Sequence, residues 1–362
     1  MEKQGLLFIP DISGFTRFVN EMEIEHSRLI IQELLEILVN ANHLGLEISE
    51  IEGDAILFYK FGTAPELKEL YQQVEKMFCE FHSSLKAYEY HRFCQCKACT
   101  SAINLSLKVV THYGEFTSYQ VKDFKKLIGK DIIVAHQLLK NDIDQHEYWL
   151  VTKSLVQHIP ISKLTPWMQW DSSTKQIENG AIPFHYTQLS QLKNEITIAP
   201  LPQPELSRKV KVISVSKVYD IDIIPLFHAT GDFHYRSRWR EGVKAIEAVN
   251  HFLPRVGMRC RCVLENGQEV LYSSSYSYQP ERIEFSETEE STNNATYYLL
   301  EKTGDDTTKL TIDFYIPKGL LTQTLFKLRK QNKVETIFKK SLLNLDGLVK
   351  ELKPVNSVKE DT

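Results

Sequence analysis

Phe8-Ile9-Pro10-Asp11-Ile12-Ser13-Gly14-Phe15-Thr16 and, further along, Glu50-Ile51-Glu52-Gly53-Asp54-Ala55 are the two stretches on which the fold turns. The apolar run from Leu6 to Ile9 reads as a short strand that breaks into a loop at Pro10, Asp11, Ser13 and Gly14. Beyond it, Ile30, Leu34, Leu38 and Ala41 recur at the spacing of one helix face. Leu46 and Ile48 then alternate with Glu47 and Ser49, and Ile56 and Phe58 resume the alternation after Gly53-Asp54. This is the pattern of a β-hairpin with Asp54 at its tip. Helical periodicity from about Pro65 to Tyr90, a strand from Leu105 to Val110 and a helix from about Ile132 to Leu139 follow. The order strand, helix, hairpin, helix, strand, helix, strand predicts an α+β sandwich with helices against one sheet.

A chain of 362 residues, 42% hydrophobic and 25% charged, is globular and long enough for two domains. Thr197 to Pro204 holds three prolines in eight residues, which suits neither a helix nor a central strand. The expected division is therefore a first domain over 1–194, a proline-rich linker over 195–207, a second domain over 208–353 and a tail over 354–362. The net charge of −4, with acids and bases mixed throughout, gives no electrostatic case for nucleic acid. The apolar run near the start is too short for a signal peptide and no later stretch reaches a bilayer's width, so the reading is of a cytoplasmic protein with no membrane span.

The paired motifs around Asp11 and Asp54 resemble the opening of class III adenylate and guanylate cyclase domains, over roughly residues 5 to 140. The resemblance implies a ferredoxin-like domain that pairs into a homodimer and binds a nucleoside triphosphate. It implies that Asp11 and Asp54, with the backbone of Ile12, hold Mg²⁺ or Mn²⁺, hard cations that prefer oxygen ligands. Gly14, Phe15 and Thr16 would lie along the triphosphate, where backbone N–H groups at a helix start suit phosphate. Glu50 stands where guanylate cyclases carry a base-accepting glutamate and adenylate cyclases a lysine, and Lys126 falls at the second base-selecting position. Glu50 and Glu52 also read simply as solvated strand residues. Across Gly129 to Leu138 the chain departs from the family. Ile133 replaces an asparagine that orients the ribose, and Gln137 replaces an arginine that stabilises the transition state. No confident catalytic residue remains, because losing such a charge costs several kcal/mol of barrier, about 3 or more.

His91, Cys94, Cys96 and Cys99 place four soft or borderline ligands within nine residues, enough for one closed structural zinc site. An iron–sulfur cluster with Cys79 as the extra thiolate, or plain loop cysteines, are the alternatives.

In the second half, Val210 to Val218 reads as a strand and Trp239 to Val249 as helix or turn. A meander follows, with turns at Asn266-Gly267, Gln279-Pro280, Asn293-Asn294 and Gly304-Asp305. Leu321, Leu325, Leu328, Ile337, Leu345, Leu348 and Leu352 line one face of a long final helix. This order resembles START-like (SRPBCC) proteins of the polyketide-cyclase and lipid-transfer type, which implies a helix-grip fold around a hydrophobic small molecule. Trp239, Phe252, Tyr276 and Tyr278 would line the cavity, or else fill the core. The expectation is a regulatory protein, degenerate as a cyclase, that binds a metal–nucleotide in one domain and an apolar ligand in the other. An active cyclase with substituted catalytic residues and a metal-stabilised scaffold are the alternatives.

Overall fold

The computed structural model describes residues 3–21, 24–92, 94, 96–157, 161–177, 180–198, 206–249, 255–265 and 267–352. Their contacts gather into two compact units, one of residues 1–89 and 96–199, the other of residues 90–95 and 200–362. Both mix helices with strand-rich sheets.

In the first unit the order is β1 (Lys3–Ser13), α1 (Phe15–Glu21), α2 (Ile24–Asn40), β2 (Glu47–Glu52), β3 (Ala55–Phe61), α3 (Leu67–His91), α4 (Lys97–Ser101) and β4 (Ser106–Val121). It continues with β5 (Phe124–Ile128), α5 (Lys130–Leu138), β6 (Tyr148–Thr152), α6 (Lys153–Val156), β7 (Asp171–Ile177) and β8 (Gly180–Gln188). The sheet runs β2-β3-β1-β4-β6-β8-β7, with β5 paired to β4. Only the β4–β6 pairing is parallel among these, and β5 with α5 forms the crossover that a parallel pair needs.

β1 is longer than the sequence pattern suggests. Pro10, Asp11 and Ser13 do not end it; they stay paired to β4 as far as Ser13 opposite Ser106. The β1–β3 ladder instead skips Ile9 and Pro10 between Phe8↔Phe58 and Asp11↔Ala55, where proline has no N–H to donate. The strand is buried on both faces, and helices cover the sheet on two sides. Leu7 and Ile9 pack with Val134, Ala135 and Leu138 of α5. On the opposite face, Trp149 of β6 meets Tyr71 of α3 at 6.3 Å between rings.

The crossover helix is pinned to β4 by polar contacts. Asp131 accepts from the Glu115 N–H at 2.7 Å and lies 2.9 Å from His112 Nε2, whose Nδ1 is 2.9 Å from Thr152 Oγ1. Burial raises the Asp131 carboxyl, but the His112 and Glu115 contacts outweigh it and hold it below its ordinary range. Gly114 is required here, since a Cβ on it would fall 2.2 Å from the Asp131 Cγ.

The second unit contains β9 (Lys209–Tyr219), α7 (Ile223–Gly231), α8 (Arg236–Trp239), β10 (Val243–Ala248), β11 (Arg259–Leu264), β12 (Gly267–Gln279), β13 (Arg282–Glu289), β14 (Ala295–Gly304) and β15 (Thr307–Pro317). It closes with α9 (Leu320–Arg329) and α10 (Gln331–Leu352). Its antiparallel sheet runs β10-β11-β12-β13-β14-β15-β9. Leu226 and Phe227 of α7, Trp239 of α8 and Phe338, Leu342, Leu345 and Leu348 of α10 share one core with this sheet. Inside it, the fully buried Arg236 pairs with Glu287 and lies near the Tyr298 hydroxyl at 3.3 Å.

Three expectations for this half change. Val243–Ala248, read as helix or turn, is an edge strand. The final helix is two helices, and Leu321, Leu325 and Leu328 on the first are exposed, so the apolar face is continuous only in α10. Trp239 is wholly buried in the core, whereas Tyr278 is 45% exposed, so the two do not line one cavity. Phe252 lies outside the described residues.

Replacing Gly114 by Ala is expected to destabilise the protein by about 1–3 kcal/mol, the usual cost of overpacking a filled site. Gly347, exposed on α10 with nothing within 4 Å of an added Cβ, is the control. Gly347→Ala is expected to stabilise by up to about 1 kcal/mol through helix propensity. Thermal melts of both variants check the pair.

Candidate functional site

A hydrogen bond from the Ile12 N–H to the Asp54 carbonyl, 3.0 Å, clasps the end of β1 to the tip of the β2–β3 hairpin. Gly53, at φ +60°, allows the tight turn there. The result is that Asp11 and Asp54 share the inner end of a cleft of about 850 Å³. Ile12, Gly14, Phe15, Thr16 and Glu50 line the same cleft, so every residue expected at the metal and nucleotide sites comes to one place.

The inner end is short of positive charge. Asp11 is buried, and its desolvation pushes the carboxyl above the ordinary range against the pull of Lys108, whose Nζ lies 3.3 Å away. Burial first, and then the negative charge of Asp11, push Asp54 up to about 6. Such a carboxylate pair suits a divalent cation, whose charge would favour the ionised form of both groups. The fit extends to polar atoms: Ser13 Oγ and Gln137 Oε1 are buried in the cleft walls with no partner among the described residues.

Ile133 and Gln137 both line the cleft from α5. Ile133 offers no hydrogen-bonding group and Gln137 no charge. Glu50 is ion-paired with Lys126 of β5, and His136 Nε2 stands 3.9 Å from its other oxygen. Glu50 and Lys126 thus meet in space and hold each other.

Among the cleft residues that sequence reasoning missed are Lys108, His136, Lys140, His146 and Arg17. Lys108 was findable only through the register that sets it opposite Asp11, and His136 only through the turn of α5. Of the soft-ligand set, Cys96 and Cys99 come together, and the imidazole that joins them is that of His26. In the second unit a cleft of about 820 Å³ is lined by Arg240, Glu269, Phe314, Leu321, Leu325 and Phe326 among others, and Trp239, Tyr276 and Tyr278 are not in its walls.

Residues 31–148 match the family described as "Protein of unknown function (DUF2652)". The chain is 31% identical over 125 residues to a Mycobacterium tuberculosis protein named "Uncharacterized protein Rv2561/Rv2562", a stretch that covers 34% of this chain and 58% of that protein. Among solved structures, the guanylate cyclase domain of RhGC from Catenaria anguillulae in complex with GTP is 15% identical, with a TM-score of 0.38 over 52% of this chain and 98% of that one. A bacterial light-regulated adenylyl cyclase is 16% identical, with a TM-score of 0.39 over 54% of this chain and 57% of that one. Among the described residues, no helix is long and apolar enough to cross a membrane.

The raised Asp54 sets a pH dependence. Its folded value of about 6 exceeds the ordinary 3.8, so its contribution to stability is present below about pH 4 and is lost as pH rises through about 6. In buffer without added divalent cation, the melting temperature of Asp54→Asn relative to the native chain should therefore be higher at pH 7.5 than at pH 4. An equal difference at both values would show that Asp54 does not titrate in this window.

Proposed function

We propose that the first unit is a nucleotide-cyclase-like regulatory domain that binds a nucleoside triphosphate with Mg²⁺ or Mn²⁺ and does not turn it over at cyclase rates. The observation that carries this reading is the pair of desolvated carboxylates, Asp11 and Asp54, at the inner end of a cleft that Gly14, Phe15, Thr16 and Glu50 also line. Asp11 and Asp54 would hold the cation, which supplies the charge that neutralises the phosphates. Lys140, His136 and Arg17 add basic groups to the same walls. Ile133 and Gln137 favour binding over catalysis, since neither supplies the charge that a phosphoryl-transfer transition state needs. A homodimer belongs to the same proposal, supported by the exposed Val19, Ile24 and Ile51 around an apolar groove beside α2. So does a cytoplasmic setting, where thiols stay reduced.

The test is titration of the full chain with fluorescent ATP and GTP analogues, with and without Mn²⁺, while assaying for cyclic product. Saturable binding that needs Mn²⁺, weakened at least about tenfold in Asp54→Ala and without product, is the expected outcome, tenfold being about 1.4 kcal/mol. Cyclic product that disappears in Asp54→Ala would establish an active cyclase in place of the regulatory domain. Absence of nucleotide binding would leave a scaffold.

We further propose a START-like, helix-grip role for the second unit, with a hydrophobic small molecule in the cleft under α9. Leu321 and Leu325 are exposed yet line this cleft beside Phe314 and Phe326, while Arg240 and Glu269 supply a polar end. Cis-parinaric acid is expected to bind saturably, and Leu325→Glu to weaken it about tenfold or more, the worth of one buried leucine. Unchanged affinity in the variant would place the ligand elsewhere or nowhere.

A further inference from the structure

Two thiols and one imidazole of the first unit lie together outside the nucleotide cleft. His26, near the start of α2, has its Nδ1 3.3 Å from Cys96 Sγ and 3.3 Å from Cys99 Sγ. A third thiol, that of Cys94, stands two residues before Cys96 in the chain. Cys94 and Cys99 are buried, His26 and Cys96 half-buried. Protonated thiols are weak donors and weak acceptors, so hydrogen bonding among them offers little reason for such convergence.

Tetrahedral zinc offers one. With Zn–S of about 2.3 Å and Zn–N of about 2.0–2.1 Å, the edges of the tetrahedron are about 3.8 Å between sulfurs and about 3.6 Å between nitrogen and sulfur. The two nitrogen–sulfur distances of 3.3 Å lie just inside that edge. The surroundings also suit thiolates: the Tyr88 hydroxyl donates to Cys99 Sγ at 2.9 Å, and the Cys99 N–H donates to Cys96 Sγ at 3.5 Å. Donors around the sulfurs offset the single net negative charge that three thiolates leave on Zn²⁺.

We infer that Cys94, Cys96, Cys99 and His26 form a closed Cys₃His zinc site. On binding, the three thiols release their protons to solvent and His26 coordinates as the neutral ring. With four protein ligands no position stays open for chemistry, so the ion is structural. It ties the start of α2 to the connection between α3 and β4. The inference is independent of the nucleotide reading, and neither result bears on the other.

Untagged full-length protein, expressed with added zinc, is analysed for metal by mass spectrometry, with His26→Ala, Cys96→Ser and His91→Ala beside it. About one zinc per chain is expected in the native protein and in His91→Ala, and loss of most of it in the other two. Because the cysteine variant can lose zinc by failing to fold, metal-free native chain is also titrated with Co²⁺. Tetrahedral Co²⁺ bound to thiolates gives intense visible absorption, and His26→Ala with native circular dichroism should lose it. Zinc well below one per chain, retention of zinc in His26→Ala, iron in its place, or the weak spectrum of octahedral Co²⁺ would each overturn the site.

Discussion

A carboxylate at the end of a strand buried on both faces governs the first unit. Asp11 follows Leu6 to Pro10, all buried, so its charge is carried into the protein by the same pairing that builds the centre of the sheet. An isolated charge there would be prohibitively costly. One neighbour offsets it, and a second, of like charge, completes the site. Lys108 enters from β4 in register, and the hairpin tip brings Asp54, whose backbone carbonyl is fixed by Ile12. The arrangement leaves one more carboxylate than ammonium, and a surplus of this kind, held rigidly, is what attracts a cation.

The crossover from β4 to β6 controls what surrounds that surplus. α5 is set by a polar anchor at its first turn, the His112–Asp131 contact over Gly114, and by Val134, Ala135 and Leu138 packed on the sheet. Once both are satisfied, Ile133, His136 and Gln137 have no choice but to face the cleft, because a helix advances about 100° per residue. The chemistry of the cleft wall is thus decided by packing on the helix's other side. β5, on the same crossover, carries Lys126 to Glu50.

Periodicity and turn chemistry made the elements of this unit legible: the helix through Ile30 and Leu38, the hairpin at Asp54 and the helix on which Ile133 lies. The spacing of the two aspartate motifs made their convergence legible as well. What stayed hidden was tertiary. Lys108 and Asp11 are distant in sequence and meet only through strand register; His26 and Cys96 meet only because α2 begins where α4 begins. Nearness in sequence favoured His91 as the fourth ligand, yet the imidazole beside Cys96 and Cys99 is that of His26, from the start of α2. In the second unit the leucine pattern of the last helices misled for another reason. A regular apolar spacing persists across the break between α9 and α10, but only α10 turns that stripe into the core.

The position of Lys108 also bears on the choice between binding and turnover. Its Nζ is held from two sides, 3.3 Å from Asp11 and 3.1 Å from the Leu139 carbonyl. Two carboxylates and one ammonium leave a net charge near −1, which suits a single divalent cation. A second cation would have to displace the ammonium, since hard ions and an ammonium compete for the same carboxylate oxygens. A two-metal displacement needs ions on both the attacking and the leaving oxygen. Holding a triphosphate needs only one, with basic side chains on the remaining phosphates. On the proposed nucleotide-binding reading, Lys108, Ile133 and Gln137 act in the same direction: the ammonium opposes a second metal, the Ile133 side chain offers no hydrogen-bonding group and Gln137 offers no charge.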